Sequence, residues 1–260
     1  MAKAKKGKPA QPKGGAVPPG GSGGAPPDAF ARCLRPGADL GGLALELVPA
    51  QPGFIITVPL FDVDECAAVV AAADSFGWAS ATAADRAPKK GTAYLDRDRV
   101  DFQCEPFSAE LWLRLLPHLP SVGARVPVGL HADGRYNRGG APTCRVYRYT
   151  AGHQFGSHVD MSSRGPGPGE ETEFTLLVYL CSQGELPPGP TRPDAKPLVG
   201  GDTVFWASAR TELCRASPVA GLALLHAHGR RCLMHESEEV RRGVKYVLRV
   251  DVLYGPGPGG

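Results

Sequence analysis

A histidine and an aspartate that could bind one metal ion lie near the middle of this 260-residue chain. In the run 155–160, His158 and Asp160 are separated by one residue, and alternate side chains of a β-strand point to the same face. An imidazole nitrogen and a carboxylate oxygen at that spacing can chelate one small dication. With a second histidine from a distant strand, they would form the two-histidine, one-carboxylate set that binds Fe(II) and leaves positions open for substrate and dioxygen.

The His-x-Asp pattern occurs twice in the chain and is too short to be specific. The other copy, His131-Ala132-Asp133, continues directly into Gly134. Asp-Gly is typical of turns, which lack the pleat that aligns alternate side chains. The pair at 158 and 160 follows a strand-like run instead, so the sequence favours it.

Three histidines are candidates for the distant ligand: His226, His228 and His235. Lys245 follows His235 by ten residues, whereas the same step from the other two reaches glutamates. A dicarboxylate cosubstrate at the metal needs a fixed cation nearby, so His235 is favoured. The other two are interpreted as core or hydrogen-bonded structural histidines.

The segment 244–252 places two cations on one face of a predicted strand. Lys245, Val247 and Arg249 alternate along it and share that face. Two cations near a dication would form a pocket for a dianion, since arginine can bind a carboxylate through two hydrogen bonds. The alternative is an edge strand whose charged side chains face water.

A longer set of motifs occurs in a fixed order between residues 144 and 254. These motifs are Tyr149, His158-x-Asp160, Gly200-Gly201-Asp202-Thr203-x-Phe205, Pro218-x-x-Gly221, His235-Glu236, Gly243-x-Lys245 and Leu248-Arg249-x-Asp251. Their order resembles the catalytic domain of the prolyl 4-hydroxylase type, which belongs to the 2-oxoglutarate- and Fe(II)-dependent dioxygenases. The resemblance implies a mainly β fold with flanking helices, in which a double-stranded β-helix (jelly roll) forms the core.

The resemblance also implies roles for individual residues. Iron would be held by His158, Asp160 and His235, and Lys245 would pair with the distal carboxylate of 2-oxoglutarate. Tyr149 matches a family tyrosine that hydrogen-bonds the same carboxylate.

Two further positions are implied beside this pocket. Arg249 and Tyr179 would line it as cosubstrate-binding residues, and a core aromatic is an equally open interpretation of Tyr179. The Gly200-Gly201 run is interpreted as serving the turn rather than the chemistry.

The implied reaction is hydroxylation of an unactivated C–H bond, with release of succinate and carbon dioxide. Dioxygen is the oxidant, L-ascorbate is the usual reductant of the family, and peptidyl proline is one candidate substrate. A small molecule or a free amino acid is an alternative substrate. A non-catalytic metal-binding interaction module is a second alternative, which the combination of metal ligands and a cosubstrate cation disfavours.

Composition divides the chain into a folded unit and its tails. Residues 1–27 are rich in Gly, Pro and Lys, which predicts a disordered arm, and 255–260 predicts a flexible tail. Between them, 28–143 is interpreted as a support region of helices and strands, and 144–254 as the catalytic core. Removing the five lysines of the arm from the formal net charge of +3 leaves −2, which disfavours nucleic acid as a partner or substrate.

The location of the protein is predicted from absent signals and from its cysteines. The sequence shows neither a signal peptide nor an apolar stretch long enough to span a membrane. Its seven cysteines occur singly, without a Cys-x-x-Cys pair, which favours a reducing compartment. The expectation is a cytoplasmic or nuclear protein without a membrane partner.

Local patterns predict the elements that position these residues. A strand is expected at 54–61, and a helix at 63–76 that Asp62 and Glu65 cap and Gly77 ends. A loop whose strand content is left open is expected at 79–105, a second helix at 109–116, and an exposed proline-rich loop at 184–201. The remaining predicted strands are 144–149, 155–160, 173–181, 203–206, 221–227, 231–235 and 244–254.

Overall fold

The computed structural model describes residues 28–38, 40, 44–48, 55–81, 93–131, 141–189, 193–209 and 211–257. The helices are α1 (Asp28–Ala31), α2 (Val63–Phe76) and α3 (Glu105–Leu115), and short 3-10 helices cover Leu116–His118 and Gly229–Arg231. The strands are β1 (Leu45–Glu46), β2 (Ile55–Pro59), β3 (Ala79–Ser80), β4 (Asp98–Gln103), β5 (Arg125–Leu130), β6 (Thr143–Thr150), β7 (Phe155–His158), β8 (Glu171–Tyr179), β9 (Val199–Gly200), β10 (Thr203–Ser208), β11 (Thr211–Ala216), β12 (Leu222–Ala227), β13 (Met234–Ser237), β14 (Val240–Arg242) and β15 (Val244–Pro256).

Two antiparallel sheets form the core of the fold. The larger sheet has the order β1-β2-β12-β8-β15-β6-β4-β3, with β5 added to the far end of β15. The smaller sheet has the order β11-β10-β13-β7, and β14 pairs with β9. The predicted mainly β, jelly-roll type of fold is therefore confirmed. Strands from both the 28–143 and the 144–254 regions belong to the larger sheet.

The two faces of the larger sheet have different partners. On the outer face, Val58, Leu225 and Leu248 share an apolar cluster with the inner sides of the three helices. On the inner face, Leu224 and Val247 pack with Phe205 of the smaller sheet. The helices thus cover the outside of the sheet, as predicted, while the space between the sheets is left for the site.

Helix α2 begins and ends at the predicted residues. The Asp62 carboxylate accepts the backbone N–H of Glu65, and the Glu65 carboxylate accepts the backbone N–H of Asp62, which completes the capping box. At the other end, Gly77 has a φ of 86° and closes the helix.

A buried ion pair connects α2 with α3. The Arg114 guanidinium donates to both carboxylate oxygens of Glu65 at 2.8 Å and to Glu110 at 2.9 Å. Only 6% of the Arg114 side chain and 2% of the Glu65 side chain are exposed. The helix pair therefore depends on charges that water does not screen.

Several predicted boundaries are wrong. Strands β3 and β4 lie within 79–105 and extend the larger sheet, and α3 begins at Glu105, ahead of the predicted start at 109. Residues 231–233 do not belong to a strand, because a 3-10 turn ends at Arg231 and β13 begins at Met234. β15 continues past 254, because Gly255 pairs with Val126 and Pro256 with Arg125. Strands β1, β5, β9, β11 and β14 were not predicted.

The proline-rich segment 184–201 is largely irregular, as expected, although its end is anchored. Leu198 is buried, and Val199–Gly200 forms β9.

The predicted arm, 1–27, lies outside the described residues, as do Asp133 and residues 258–260. None of the described helices combines the length and the apolar character needed to cross a bilayer.

Candidate metal centre

The smaller sheet brings the two histidines of the predicted metal site side by side. His235 on β13 is the direct partner of His158 on β7, and their ring centroids are 4.3 Å apart. The predicted strand 155–160 ends at His158, so Asp160 lies just beyond β7 rather than on its face. The backbone N–H of Asp160 bonds the Cys232 sulfur at 3.2 Å. A turn that precedes β13 thus holds the carboxylate beside both imidazoles.

The donor atoms of His158, Asp160 and His235 all lie within 4.8 Å of one another. His158 Nε2 is 3.6 Å from Asp160 Oδ1, and His235 Nε2 is 3.9 Å from Asp160 Oδ2. Such separations leave room for one ion between the three groups. The residues present therefore fit a small dication.

Backbone carbonyls orient both imidazoles. His158 Nδ1 lies 2.8 Å from the Gly156 carbonyl, and His235 Nδ1 lies 2.9 Å from the Leu233 carbonyl. A carbonyl can only accept, so each Nδ1 carries the proton and each Nε2 presents a lone pair toward Asp160. This is the arrangement in which proteins commonly hold metal-binding histidines.

Burial keeps these imidazoles neutral. It lowers the pKa of His158 to about 4, with His235 adding to the effect. It also lowers the pKa of His235, although Asp160 opposes this. Neutral imidazole is the form that binds a metal, so neither ring must lose a proton at neutral pH.

Asp160 is held as a carboxylate. Burial alone would raise its pKa, but Arg249 and the surrounding histidines hold the pKa well below its ordinary value. Arg249 Nη2 is 3.1 Å from Asp160 Oδ2, and the Thr175 hydroxyl donates to the same oxygen at 2.7 Å. The carboxylate is thus charged and fixed before any ion binds.

Lys245 lies in the same pocket as the metal-binding candidates. Its side chain is buried, and its ammonium donates to the Gly201 carbonyl and, at 2.8 Å, to the Ser237 hydroxyl. Burial lowers the pKa of Lys245 to about 8, so the cation persists at neutral pH. No carboxylate lies within salt-bridge distance of its ammonium among the described residues, so an anionic ligand would supply its counter-charge.

Glycine makes room for this lysine. Gly201 has a φ of 79°, and a Cβ placed there would lie 3.0 Å from the Lys245 side chain. The Gly200-Gly201 run therefore serves the turn and also clears the space in which Lys245 lies.

The other predicted cosubstrate residues occupy different positions. Arg249 and Tyr149 line the pocket, and the Tyr149 ring is 5.4 Å from the Lys245 ammonium. Tyr179 does not line the pocket. The Tyr179 hydroxyl donates to the Thr203 hydroxyl at 2.7 Å. Tyr179 is thus placed as a core aromatic next to Lys245, with its ring 5.6 Å away.

Two histidines that the sequence assigned to structural roles differ from each other. His228 hydrogen-bonds the hydroxyls of Thr172 and Thr175, which agrees with that assignment. His226 lines the pocket beside Asp160. The alternation of side chains along β12 could have indicated which residues share a face with His226. Only the register of β12 with β8 shows that this face is turned toward the metal-binding candidates.

No protein-family model and no curated protein matches the sequence. Solved structures of similar fold include the viral collagen prolyl hydroxylase vCPH from Paramecium Bursaria Chlorella virus-1 as a 2OG complex. It shares 15% identity at a TM-score of 0.46, over 78% of this chain and 97% of the other. A Pseudomonas putida prolyl-4-hydroxylase shares 15% identity at a TM-score of 0.47, over 77% and 92% of the two chains. A prolyl hydroxylase from Trichoplax adhaerens, in complex with a hypoxia inducible factor oxygen degradation domain peptide fragment, shares 16% sequence identity at a TM-score of 0.48. The match covers 77% of this chain and 84% of the other.

Proposed function

We propose that this protein is an Fe(II)- and 2-oxoglutarate-dependent dioxygenase that hydroxylates an unactivated C–H bond. The observation that supports the proposal most strongly is the convergence of His158, Asp160 and His235 in a pocket that also contains the Lys245 ammonium. The reaction is R–H + 2-oxoglutarate + O₂ → R–OH + succinate + CO₂. One oxygen atom enters the substrate and the other enters succinate.

His158, Asp160 and His235 would hold the iron. Two imidazoles and one carboxylate are the ligand set that would leave positions on the ion open for cosubstrate and dioxygen. When bound, iron supplies the redox chemistry that activates dioxygen, which no side chain of the protein offers. Arg249 and Thr175 keep Asp160 in place and ionised.

Lys245 would bind the distal carboxylate of 2-oxoglutarate. Its ammonium is already fixed by two hydrogen bonds, so little side-chain freedom is lost when the dianion binds. Tyr149 is the direct partner of Lys245 across β6 and β15 and is buried beside it. Lys245 and the metal ligands thus define the two ends of the cosubstrate.

The substrate would present an apolar carbon, and we infer a prolyl residue of a peptide as the favoured candidate. Three apolar side chains next to the metal ligands in sequence are exposed: Val159 by 40%, Met161 by 67% and Met234 by 44%. Exposed apolar side chains in the segments that carry the ligands favour a substrate that offers apolar surface. A small apolar metabolite is the alternative, which a comparison of peptide and metabolite substrates would separate.

Cosubstrate turnover tests the proposal. The full chain, loaded with Fe(II) under anaerobic conditions and then exposed to air, should release succinate from 2-oxoglutarate. The variants His158→Ala, Asp160→Ala and His235→Ala should release none while keeping their circular dichroism spectra. His118→Ala, which changes a histidine on the 3-10 turn after α3, serves as the control and should keep wild-type turnover. Wild-type turnover in any of the three variants would contradict the ligand assignment.

A further inference from the structure

Thr175 on β8 holds a central position in a group of buried hydrogen bonds beside the metal-binding candidates. Its hydroxyl is 2.7 Å from Asp160 Oδ2 and 2.5 Å from His228 Nε2. Only 1% of Thr175 and 2% of His228 are exposed, so water does not compete for these contacts. A hydroxyl carries one proton and can donate it to only one partner at a time. The roles of the two neighbours of Thr175 therefore determine each other.

The Asp160 carboxylate decides the direction of the Thr175 proton. Asp160 is paired with Arg249 and can only accept, so the Thr175 hydroxyl must donate to it. Asp251 Oδ1 is the other carboxylate oxygen near this hydroxyl, but it is 3.4 Å away and thus a poorer acceptor. His228 Nε2 must then carry a proton and donate to the Thr175 oxygen, since two bare acceptors at that distance would repel each other.

The other nitrogen of His228 completes the assignment. Nδ1 lies 3.0 Å from the Thr172 hydroxyl, whose oxygen accepts from the backbone N–H of Ser163 at 2.8 Å. In the neutral ring with its proton on Nε2, Nδ1 accepts the Thr172 proton, and every proton of the network has an acceptor. A second proton on Nδ1 would leave the Thr172 hydroxyl without an acceptor among the described residues. This tautomer is opposite to that of His158 and His235, whose Nδ1 atoms face carbonyls.

A chain of four hydrogen bonds thus points in one direction, from the Ser163 backbone to Asp160 Oδ2. Oδ2 also forms an ion pair with Arg249 Nη2 at 3.1 Å, so this oxygen already has two partners. Among the described residues, none donates a hydrogen bond to Oδ1, which lies 3.6 Å from His158 Nε2. The oxygen that faces His158 is therefore the one left for a metal ion.

We propose that His228 is a positioning residue of the metal centre, which directs the Thr175 hydroxyl to Asp160 Oδ2 and so leaves Oδ1 for the metal. The inference deepens the proposed function and rests on its metal centre. A carboxylate without such partners can rotate and offer either oxygen, whereas hydrogen bonds from outside the ligand set fix its orientation. His228 acts through Thr175, so its removal should affect the metal affinity only while Thr175 is present.

Nuclear magnetic resonance of the metal-free full chain tests the tautomer in the wild type. Long-range correlations between ring protons and nitrogen-15 nuclei distinguish a protonated from an unprotonated imidazole nitrogen. The signals of His228 are those that disappear in His228→Gln. We expect a protonated Nε2 and an unprotonated Nδ1. Thr172→Val removes the hydroxyl that donates to Nδ1, so the opposite tautomer should appear in that variant.

Binding of Mn(II) to the full chain, measured by the electron paramagnetic resonance of the free ion, tests the consequence. Thr175→Val keeps the shape of the side chain but removes the hydroxyl. It should weaken Mn(II) binding about 10- to 100-fold, the range found when a metal ligand loses its supporting partner. Thr175→Ser restores the hydroxyl and should bind like the wild type. Thr143→Val is the matched control, because Thr143 is also buried but its hydroxyl accepts from Gln103 on β4.

His228→Leu tests whether His228 acts through Thr175. Alone, it should weaken Mn(II) binding, although less than Thr175→Val does, since the Thr175 hydroxyl loses the group that directs it. The double variant should bind Mn(II) no more weakly than Thr175→Val alone, because residues in one chain of hydrogen bonds are not independent. A purely structural role of His228 would instead make the two losses additive.

Three results would overturn the inference: a protonated Nδ1 of His228 in the wild type, additive losses in the double variant, or Mn(II) binding in Thr175→Val that equals that of Thr143→Val or Thr175→Ser. If His158→Ala loses Mn(II) in the same experiment, the proposed function survives any of these results. If His158→Ala binds Mn(II) like the wild type, the proposed function fails, and the inference fails with it.

Discussion

His158 and His235 are direct cross-strand partners in an antiparallel pair, although 76 residues separate them in the sequence. Because side chains alternate along a strand, a slip of one residue in this register would turn one imidazole away from the other. The register of β7 with β13 therefore decides whether a metal centre can form.

Lys245→Met should raise the concentration of 2-oxoglutarate needed for half-maximal turnover by about 30-fold or more, since removing one partner of a buried charge pair costs about 2 kcal/mol or more. The maximal rate should change less, because the lysine is remote from the reacting carbon. Lys196→Met, on the exposed proline-rich segment, is the matched control. An unchanged requirement in Lys245→Met would point to Arg249 as the residue that binds the distal carboxylate.

The affinity for 2-oxoglutarate should fall as the pH rises above about 8. Burial lowers the pKa of Lys245 to about 8 in the free protein, so the ammonium is lost above that pH. A bound dianion favours the protonated form, and binding therefore takes up a proton in this range. Isothermal titration in buffers of different ionisation enthalpy would reveal the uptake, and its absence in the wild type would contradict the assigned role.

The metal-free protein should lose stability as the pH falls from about 6.5 to about 4. Burial lowers the pKa of His158 from 6.5 to about 4, so the unfolded chain binds a proton in this window and the native state does not. The free energy of unfolding then decreases toward lower pH, by at most about 1.4 kcal/mol per pH unit for each such group. His226, His228 and His235 have pKa values lowered by burial and act in the same direction.

Urea denaturation at several pH values between 7 and 4 would measure this loss. His158→Leu should flatten the dependence, because it removes one of the groups that only the unfolded state protonates. A stability that rises as the pH falls through this window would show that these histidines are protonated in the native state.

Gly201→Ala should impair cosubstrate binding while leaving the metal ligands in place. The positive φ of Gly201 disfavours a side chain, and the new methyl group would press on Lys245. A strained backbone position of this kind costs about 1–3 kcal/mol. Binding of 2-oxoglutarate to the Mn(II)-loaded variant should therefore weaken, while its Mn(II) binding without cosubstrate stays like that of the wild type.

Arg114→Met should destabilise the protein by about 3–5 kcal/mol, because it removes the buried cation that bonds both oxygens of the buried Glu65 carboxylate. Arg215→Met is the matched control. Arg215 also pairs with acidic residues, but 42% of its side chain is exposed, so its removal should cost about 1 kcal/mol or less. Equal losses of unfolding free energy in the two variants would contradict this assignment of the buried pair.

The sequence predicted those elements that depend on local interactions. The bounds of α2 follow from Asp62, Glu65 and Gly77, whose roles require only neighbouring residues. The location of Lys245 and Arg249 on one face follows from alternation within a single strand. Both line the pocket together with the metal-binding candidates.

The sequence could not predict features that depend on distant pairing. Strand β4 is polar and mixed in character, and it forms because β6 offers a free edge with which it pairs throughout its length. The direction of His226 depends on the register between β12 and β8, which no local pattern records. The end of β15 was missed for the same reason, since β5 supplies its partner.

Strand β15 carries Lys245 and Arg249 and lies between β6 and β8 in the larger sheet. Its amide protons on both sides should be among the last to exchange with solvent, since opening them requires the sheet to separate. Residues 186–189 and 193–195, by contrast, lie outside this strand and outside the pocket that contains Lys245, so they can change in composition without altering it. A lineage could thus acquire a new substrate by altering its loops while inheriting an unchanged cosubstrate pocket.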